Sequence, residues 1–266
     1  MPGATQIKLI LAYEGTRFVG WQVQPNGLSV QAVLEEALLR LTGRKLVLRA
    51  AGRTDSGVHA RGQVVCLPDP GTLEPDELRK ALNHLLPEDV AVLSAEPVAP
   101  DFDPRGAVVG KHYRYTIYNH PVRPVFERRF SWHLRRELDL PAMRRAAACL
   151  LGEHDFSSFR ASGCESSHPI RTLDRIRWHR PEGQDRLVIL EVWGRAFLKQ
   201  MIRNLAGTFA EIGRARRSAD EMSAILAARD RRRAGQTAPA CGLCLIKVYY
   251  DQEEYRRETE GTYQDG

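Results

Sequence analysis

The sequence predicts an α+β fold: a mostly antiparallel sheet flanked by helices, divided into two lobes. Three observations point there. Strand-like and helix-like stretches follow one another irregularly, without the regular strand–helix alternation of a parallel sheet. Each half carries several stretches of period-two alternation and only a few amphipathic helices to pack on them. Residues 98–110, with Pro100 and Pro104, form a loop-like stretch that suits a boundary. The expected division is 1–105, 106–250 and a polar tail, 251–266.

In the first lobe, residues 7–13 alternate as a strand does, and Glu14-Gly15-Thr16 turns the chain. Ser29 stands as an N-cap, since its hydroxyl can take an orphan backbone N–H. Val30, Val33, Leu34, Ala37, Leu38 and Leu41 then recur at helical spacing, and Gly43 stops the run. Residues 45–51 read as a strand, 52–62 as a Gly-rich polar loop, and 63–67 as a strand. Residues 74–85 read as a helix with Pro75 in the first turn, where a missing N–H costs nothing. Residues 89–96 read as a strand.

In the second lobe, residues 112–118 alternate polar and aromatic side chains. Residues 121–136 are irregular and rich in Arg and aromatics. A helix is expected over 140–151, ended by Gly152. Residues 171–179 and 186–193 form a hairpin across Pro181-Glu182-Gly183. Residues 197–212 make a strongly amphipathic helix stopped by Gly213, with a core stripe of Leu198, Met201, Ile202, Leu205 and Phe209. A second helix covers 219–228, capped by Ser218 or Asp220, and a last strand covers 242–250. The tail is expected to fray. No short-period repeat is visible.

With 43% hydrophobic and 27% charged residues among 266, the chain is globular rather than disordered. No apolar run approaches the roughly 20 residues of a membrane helix, and no leader pattern opens the chain. Five cysteines, an odd number spread over a long chain, fit a reducing compartment better than a disulfide scaffold. A cytoplasmic protein is expected. The net charge of +6 is uneven: residues 1–105 hold 11 basic against 13 acidic side chains, residues 106–266 hold 28 against 20. Of the 39 basic residues 33 are Arg, whose planar fork grips phosphate and stacks on bases. The basic second half suggests an anionic polymer as partner; an arginine-rich genome is the competing account.

Cys241-Gly-Leu-Cys244 has the spacing of half a zinc site, but Cys164 and His168 lie far upstream and no metal is expected. There is no Gly-x-Ser-x-Gly, phosphate loop or dinucleotide fingerprint, so no nucleotide cofactor is advertised. The chemistry concentrates in Gly52-Arg53-Thr54-Asp55-Ser56-Gly57-Val58-His59-Ala60. Glycines let such a loop bring its backbone close to a ligand. Arg53 and Asp55 project the same way in an extended segment. Asp55 is a candidate nucleophile or general base, although Asp-Ser-Gly is equally good turn chemistry. His59 is either a catalytic partner or a loop-stabilising hydrogen bonder.

That loop resembles the signature of the tRNA pseudouridine synthase A family, with Ser56 where the family usually has Ala. Further motifs agree in order: Tyr13-Glu14-Gly15-Thr16-Arg17-Phe18-Val19-Gly20-Trp21-Gln22, Asn83-His84-Leu85-Leu86-Pro87, Lys111-His112-Tyr113-Arg114-Tyr115, Gly152-Glu153-His154-Asp155-Phe156, Phe197-Leu198-Lys199-Gln200-Met201-Ile202-Arg203-Asn204 and Ala238-Pro239-Ala240-Cys241-Gly242-Leu243. One departure is Phe102-Asp103-Pro104-Arg105, where the family commonly has Phe-His-Ala-Arg; Arg105 is kept.

The resemblance implies two lobes of a shared type in one extended sheet, with the active site in a central cleft. It implies a homodimer that isomerises uridine to pseudouridine at positions 38 to 40 of the tRNA anticodon stem-loop, with no cofactor. Asp55 would be the nucleophile, Arg203 the cation that keeps it ionised, and Tyr113 the ring that stacks on the flipped uracil. Leu243 would line the substrate site. Arg53, Arg105 and Arg231 would meet RNA. Rival readings are the same chemistry on another RNA, a non-catalytic RNA binder, and a small-molecule hydrolase using Asp55 with His59.

Overall fold

The computed structural model describes residues 6–71, 73–164, 166 and 168–261. The chain forms two compact units: one runs to Val109 and takes in Leu245–Tyr250, the other comprises Gly110–Cys244 and the residues from Asp251 onward.

The first unit contains β1 (Gln6–Tyr13), α1 (Val30–Thr42), β2 (Arg49–Ala50), β3 (His59–Pro68), α2 (Pro75–Leu85) and β4 (Val90–Val98). β1 lies antiparallel to β3 on one side and to β4 on the other. Its alternation buries Ile7, Leu9, Leu11 and Tyr13. α1 begins where Ser29 Oγ accepts the Ala32 N–H at 3.2 Å and ends at Gly43, whose φ of 67° only glycine adopts cheaply. Val30, Leu34, Ala37 and Leu38 form its buried stripe. In α2, Leu78 and Leu82 are buried, and the Asn83 amide clamps the helix to β4 through both the N–H (2.7 Å) and C=O (2.9 Å) of Val92.

Two expectations change in this unit. The strand over 45–51 shortens to β2, paired with Cys66 and Val65. Leu46 and Leu48 are buried and Val47 exposed, so the alternation recorded one-sided burial rather than ladder bonding. The loop expected to reach residue 62 ends earlier, because β3 starts at His59. Gly62 is a strand glycine: a Cβ there would lie 2.5 Å from the Ile246 carbonyl oxygen.

The second unit contains β5 (Gly110–Asn119), β6 (Trp132–Leu134), α3 (Leu140–Ala148), β7 (Gly152–Asp155), β8 (Ile170–Leu173), β9 (Arg175–His179), β10 (Leu187–Gly194), α4 (Met201–Gly213) and α5 (Glu221–Ala228). β11 (Leu243–Tyr249) starts here, and α6 (Gln252–Glu260) follows it. β10 pairs antiparallel with β5 and β9, β6 adds in parallel to β5, and β7 and β8 form a separate antiparallel pair. One face carries Tyr113, Tyr115, Ile117, Val188, Leu190, Val192 and Trp178, in cross-strand register. α4 packs there, the Phe209 ring meeting Trp178 edge-on at 5.3 Å. Opposite Tyr113 and Tyr115, the register sets His112, Arg114, Glu191, Trp193 and Arg175. On this side the His112 ring stacks on Trp193 at 4.1 Å, Arg114 pairs with Glu191, and Arg175 donates to the α6 carbonyl of Glu258 at 2.8 Å.

Several boundaries differ from expectation. The strand over 171–179 is two strands broken at Asp174, and β7, which pairs with the first of them, carried no sequence signal. α4 starts at Met201, not at 197, because Gln200 adopts φ 59° and stops the helical spiral. The irregular 121–136 stretch includes a 3-10 turn at Glu127–Arg129 and β6. The tail contains α6, capped by Asp251 Oδ1, which accepts the Glu254 N–H at 2.7 Å. The α4 stripe is buried as expected, and Asn204, Ala206, Gly207, Thr208 and Ala210 are buried with it.

Candidate active site

Asp55 lies on the loop that leads into β3, and the preceding strand and turn hold that loop from both sides. The β1–β3 register slips between Leu11 and Tyr13, and Tyr13 meets Thr54 Oγ1 through its hydroxyl at 2.8 Å. The Trp21 N–H donates to Thr54 O (3.1 Å), and the Gly57 N–H donates to Phe18 O (3.2 Å). Ser56 Oγ also donates to Phe18 O at 3.3 Å, so the position where the family usually has Ala fits with an added bond. The Val58 N–H closes the turn onto Asp55 O at 3.1 Å. Gln63 Nε2 donates to Gly52 O at 2.9 Å. The backbone on both sides of Asp55 is therefore fixed, while the residue itself is half-buried. Such a placement holds a side chain in position without an ordering cost when it meets a ligand.

Two glycines make the docking possible. A Cβ on Gly15 would lie 2.0 Å from Val58 O, and one on Gly20, at φ 113°, would lie 2.7 Å from Thr54 O. His59 is buried, and its Nδ1 accepts the Gly15 N–H at 3.0 Å, a loop-stabilising bond. That bond requires an unprotonated Nδ1. Tyr13, Gly15, Gly20 and Gln63 are the working residues that residue-level reading passed over. Their signal was the glycine spacing in the 13–22 segment.

Arg53 is exposed beside Asp55, and Arg105 is exposed on a turn where its N–H donates to Asp103 Oδ1 at 3.0 Å. The Pro104 carbonyl accepts from Tyr250 Oη at 2.7 Å, so the departure from the family pattern there is accommodated by a defined turn.

Tyr113, Arg203, Arg231 and Leu243 belong to the second unit. Tyr113 is buried on β5 with the Phe197 ring edge-on at 5.2 Å, which makes Phe197 its neighbour. Tyr115 shares the face but not the surroundings. It is fully buried, its hydroxyl donates to Pro239 O at 2.8 Å, and burial raises its pKa far above the ordinary phenol value. A Cβ on Gly242 would meet the Tyr115 ring at 2.6 Å. Tyr115 therefore fixes the segment that leads to Leu243, which is itself buried at the start of β11.

Arg203 clasps the same segment: its Nε donates to Ala238 O at 2.8 Å, and the Ala238 N–H donates to Arg203 O at 3.1 Å. Gly207 allows this approach, since a Cβ there would lie 1.7 Å from Gln236 O. The positive charge of Arg203 also favours ionisation of Cys241 and Tyr115, against the burial that raises both. Arg231 points inward: its guanidinium donates to Asn204 Oδ1 and Thr237 Oγ1, both at 3.0 Å, and to Gly235 O at 2.9 Å. It braces the loop after α5, while Arg232 pairs with Asp230 at 2.8 Å.

Neither Cys241 nor Cys244 is in a disulfide. Among the described residues no group of three or more His, Cys, Asp or Glu side chains is placed to hold a metal ion. No helix among them is long and apolar enough to cross a membrane.

The sequence pattern described as tRNA pseudouridine synthase matches residues 9–105 and 146–251. A tRNA pseudouridine synthase A of Myxococcus xanthus is 48% identical over 257 residues, covering 97% of this chain and 96% of its own. One of Pelobacter propionicus is 48% identical over 244 residues, covering 92% of this chain and 99% of its own. One of Moorella thermoacetica is 48% identical over 247 residues, with 92% and 99% covered. The first matched segment contains the Asp55 loop, and the second contains Arg203 and Leu243. With the pattern spanning most of the chain and relatives this similar over nearly their whole length, the chain belongs to the tRNA pseudouridine synthase family.

Proposed function

We propose that this protein isomerises uridine to pseudouridine in tRNA, at positions 38, 39 and 40 of the anticodon stem-loop, and that it does so as a homodimer. The observation that carries the proposal is the Asp55 loop: a half-buried aspartate on a backbone held on both sides, in a chain whose relatives of nearly equal length are tRNA pseudouridine synthases.

The chemistry breaks the N1–C1′ glycosidic bond and forms a C5–C1′ bond. C5 gives up a proton and N1 gains one, so the change is redox-neutral and calls for no electron carrier. The target uridine must leave its stack to be reached. Asp55 is the nucleophile, and it must be ionised to attack. Arg203 is the cation of the site. Tyr113 stacks on the uracil, with Phe197 fixing the ring, and its hydroxyl takes part in removal of the C5 proton. Leu243 contributes an apolar wall to the substrate site. Arg53 and Arg105 meet RNA phosphates, and Arg231 contributes through the loop it braces.

An unmodified tRNA transcript tests this reading. After incubation the RNA is digested and its nucleosides separated. A pseudouridine peak that maps to positions 38 to 40 is expected. Modification of another RNA with the anticodon stem-loop untouched would move the substrate assignment. Tight tRNA binding with no new nucleoside would favour a non-catalytic binder.

A further inference from the structure

The loop over residues 121–131 in the second unit is not used by the chemistry above, yet it holds apolar side chains in solvent. Phe126 is 87% exposed, with Val122 at 66% and Val125 at 61% beside it. The loop is not slack. The Phe130 N–H donates to Glu127 O at 2.9 Å, Ser131 Oγ donates to Glu127 O at 2.8 Å, and the Val122 N–H donates to His120 Nδ1 at 3.1 Å. A fixed loop that displays a phenylalanine and two valines together marks a contact surface.

The charge around it names the partner. Residues 121–136 carry five arginines, at 123, 128, 129, 135 and 136, against one acid, Glu127. The loop also borders a hollow of about 340 Å³ whose lining includes Arg123, Arg128, Trp132, His133 and Cys241. Cys241 sits in the 238–243 segment that Arg203 and Tyr115 hold. The hollow thus reaches the 238–243 segment, which ends at Leu243. Exposed aromatics among arginines suit unpaired RNA, where bases stack and phosphates are neutralised. The second half of another copy suits it less, because residues 106–266 are themselves net basic, with 28 basic against 20 acidic side chains.

We propose that this loop is a separate RNA-docking surface, on which an unpaired base stacks against Phe126 while Arg123 and Arg128 take the adjoining phosphates. The proposal rests on the RNA-modifying reading above. Its consequence is that part of the tRNA affinity resides outside the residues that touch the reacting uridine.

The test compares Phe126→Ala, Phe126→Leu, Phe126→Trp and the double variant Arg123→Ala/Arg128→Ala with the full-length wild type. Affinity for unmodified tRNA, kcat and KM are measured at two salt concentrations, and the oligomeric state is followed by sedimentation. Phe126→Ala is expected to weaken tRNA binding and raise KM about tenfold, with kcat little changed. Phe126→Trp should restore affinity and Phe126→Leu should not, since stacking needs a π-face. The double variant should flatten the dependence of log affinity on log salt by about two. Unchanged affinity in Phe126→Ala, or full rescue by Phe126→Leu, overturns the proposal. A change of oligomeric state in Phe126→Ala overturns it in favour of a contact between copies. A wild type that neither binds nor converts tRNA removes the RNA reading itself, and is told apart because it appears before any variant is made.

Discussion

Tyr113 and Tyr115 are two residues apart on one strand and project from one face, yet their environments differ. Tyr115 is locked by its bond to Pro239 O and by Gly242 against its ring. Tyr113 meets Phe197. Tyr113→Phe is therefore expected to bind tRNA normally and lose turnover by tenfold or more, read from kcat against Kd. Tyr115→Phe leaves the half-buried Pro239 carbonyl without its donor and should cost about 1 kcal/mol of stability by urea denaturation. The sequence shows that the two tyrosines share a face. It does not separate them, because the bond that does so spans 124 residues of chain. Arg203 makes a similar case. Its helical position was legible, but its clasp on Ala238 was not. Arg203→Lys keeps the charge and loses the guanidinium Nε donor, so a marked fall in kcat is expected; near-normal turnover would dismiss its assigned role.

At the scale of elements, the 51–58 loop and the 14–21 turn act as one piece because two glycines let their backbones meet. Gly15→Ala places a Cβ 2.0 Å from Val58 O, and the backbones must separate. The expected cost is about 1–3 kcal/mol of stability, with a larger fractional loss of turnover because Asp55 rides on the same loop. A thermal melt and a rate measurement on one sample separate the two effects. Caps and glycine stops were readable: Ser29 and Gly43 bound α1 as expected. What failed was local alternation without a ladder partner, as at residues 45–48, and a helix start undone by one left-handed residue, Gln200. β7 was missed because a four-residue strand offers too few alternations to register.

At the scale of the whole chain, the α+β class and the uneven charge were legible, but the return of residues 245–250 to the first unit was not, since nothing local marks it. Buried titratable groups make stability pH-dependent. Burial, opposed by Glu191 and reinforced by Arg114, lowers the His112 pKa from its ordinary 6.5 to about 4. Burial also lowers that of His179, with Glu191 opposing and Arg177, Arg114 and Arg144 reinforcing. Below pH 6.5 the unfolded chain takes up protons that the folded chain refuses, so stability falls as pH falls toward 4. From His112 alone the loss between pH 7 and pH 5 is on the order of 2 kcal/mol. Urea midpoints at the two pH values should show it, and His112→Phe should flatten the difference; an equal pH dependence in the variant would contradict the assignment.

The central claim is that Asp55 starts a base isomerisation on tRNA. Its most direct test is release of tritium from C5-labelled uridine in an unmodified tRNA transcript, with wild type and Asp55→Asn side by side and tRNA binding measured for both. The account predicts release by the wild type and none by Asp55→Asn, with binding retained in both. Comparable release by Asp55→Asn, or tRNA binding by the wild type without any release, would contradict it.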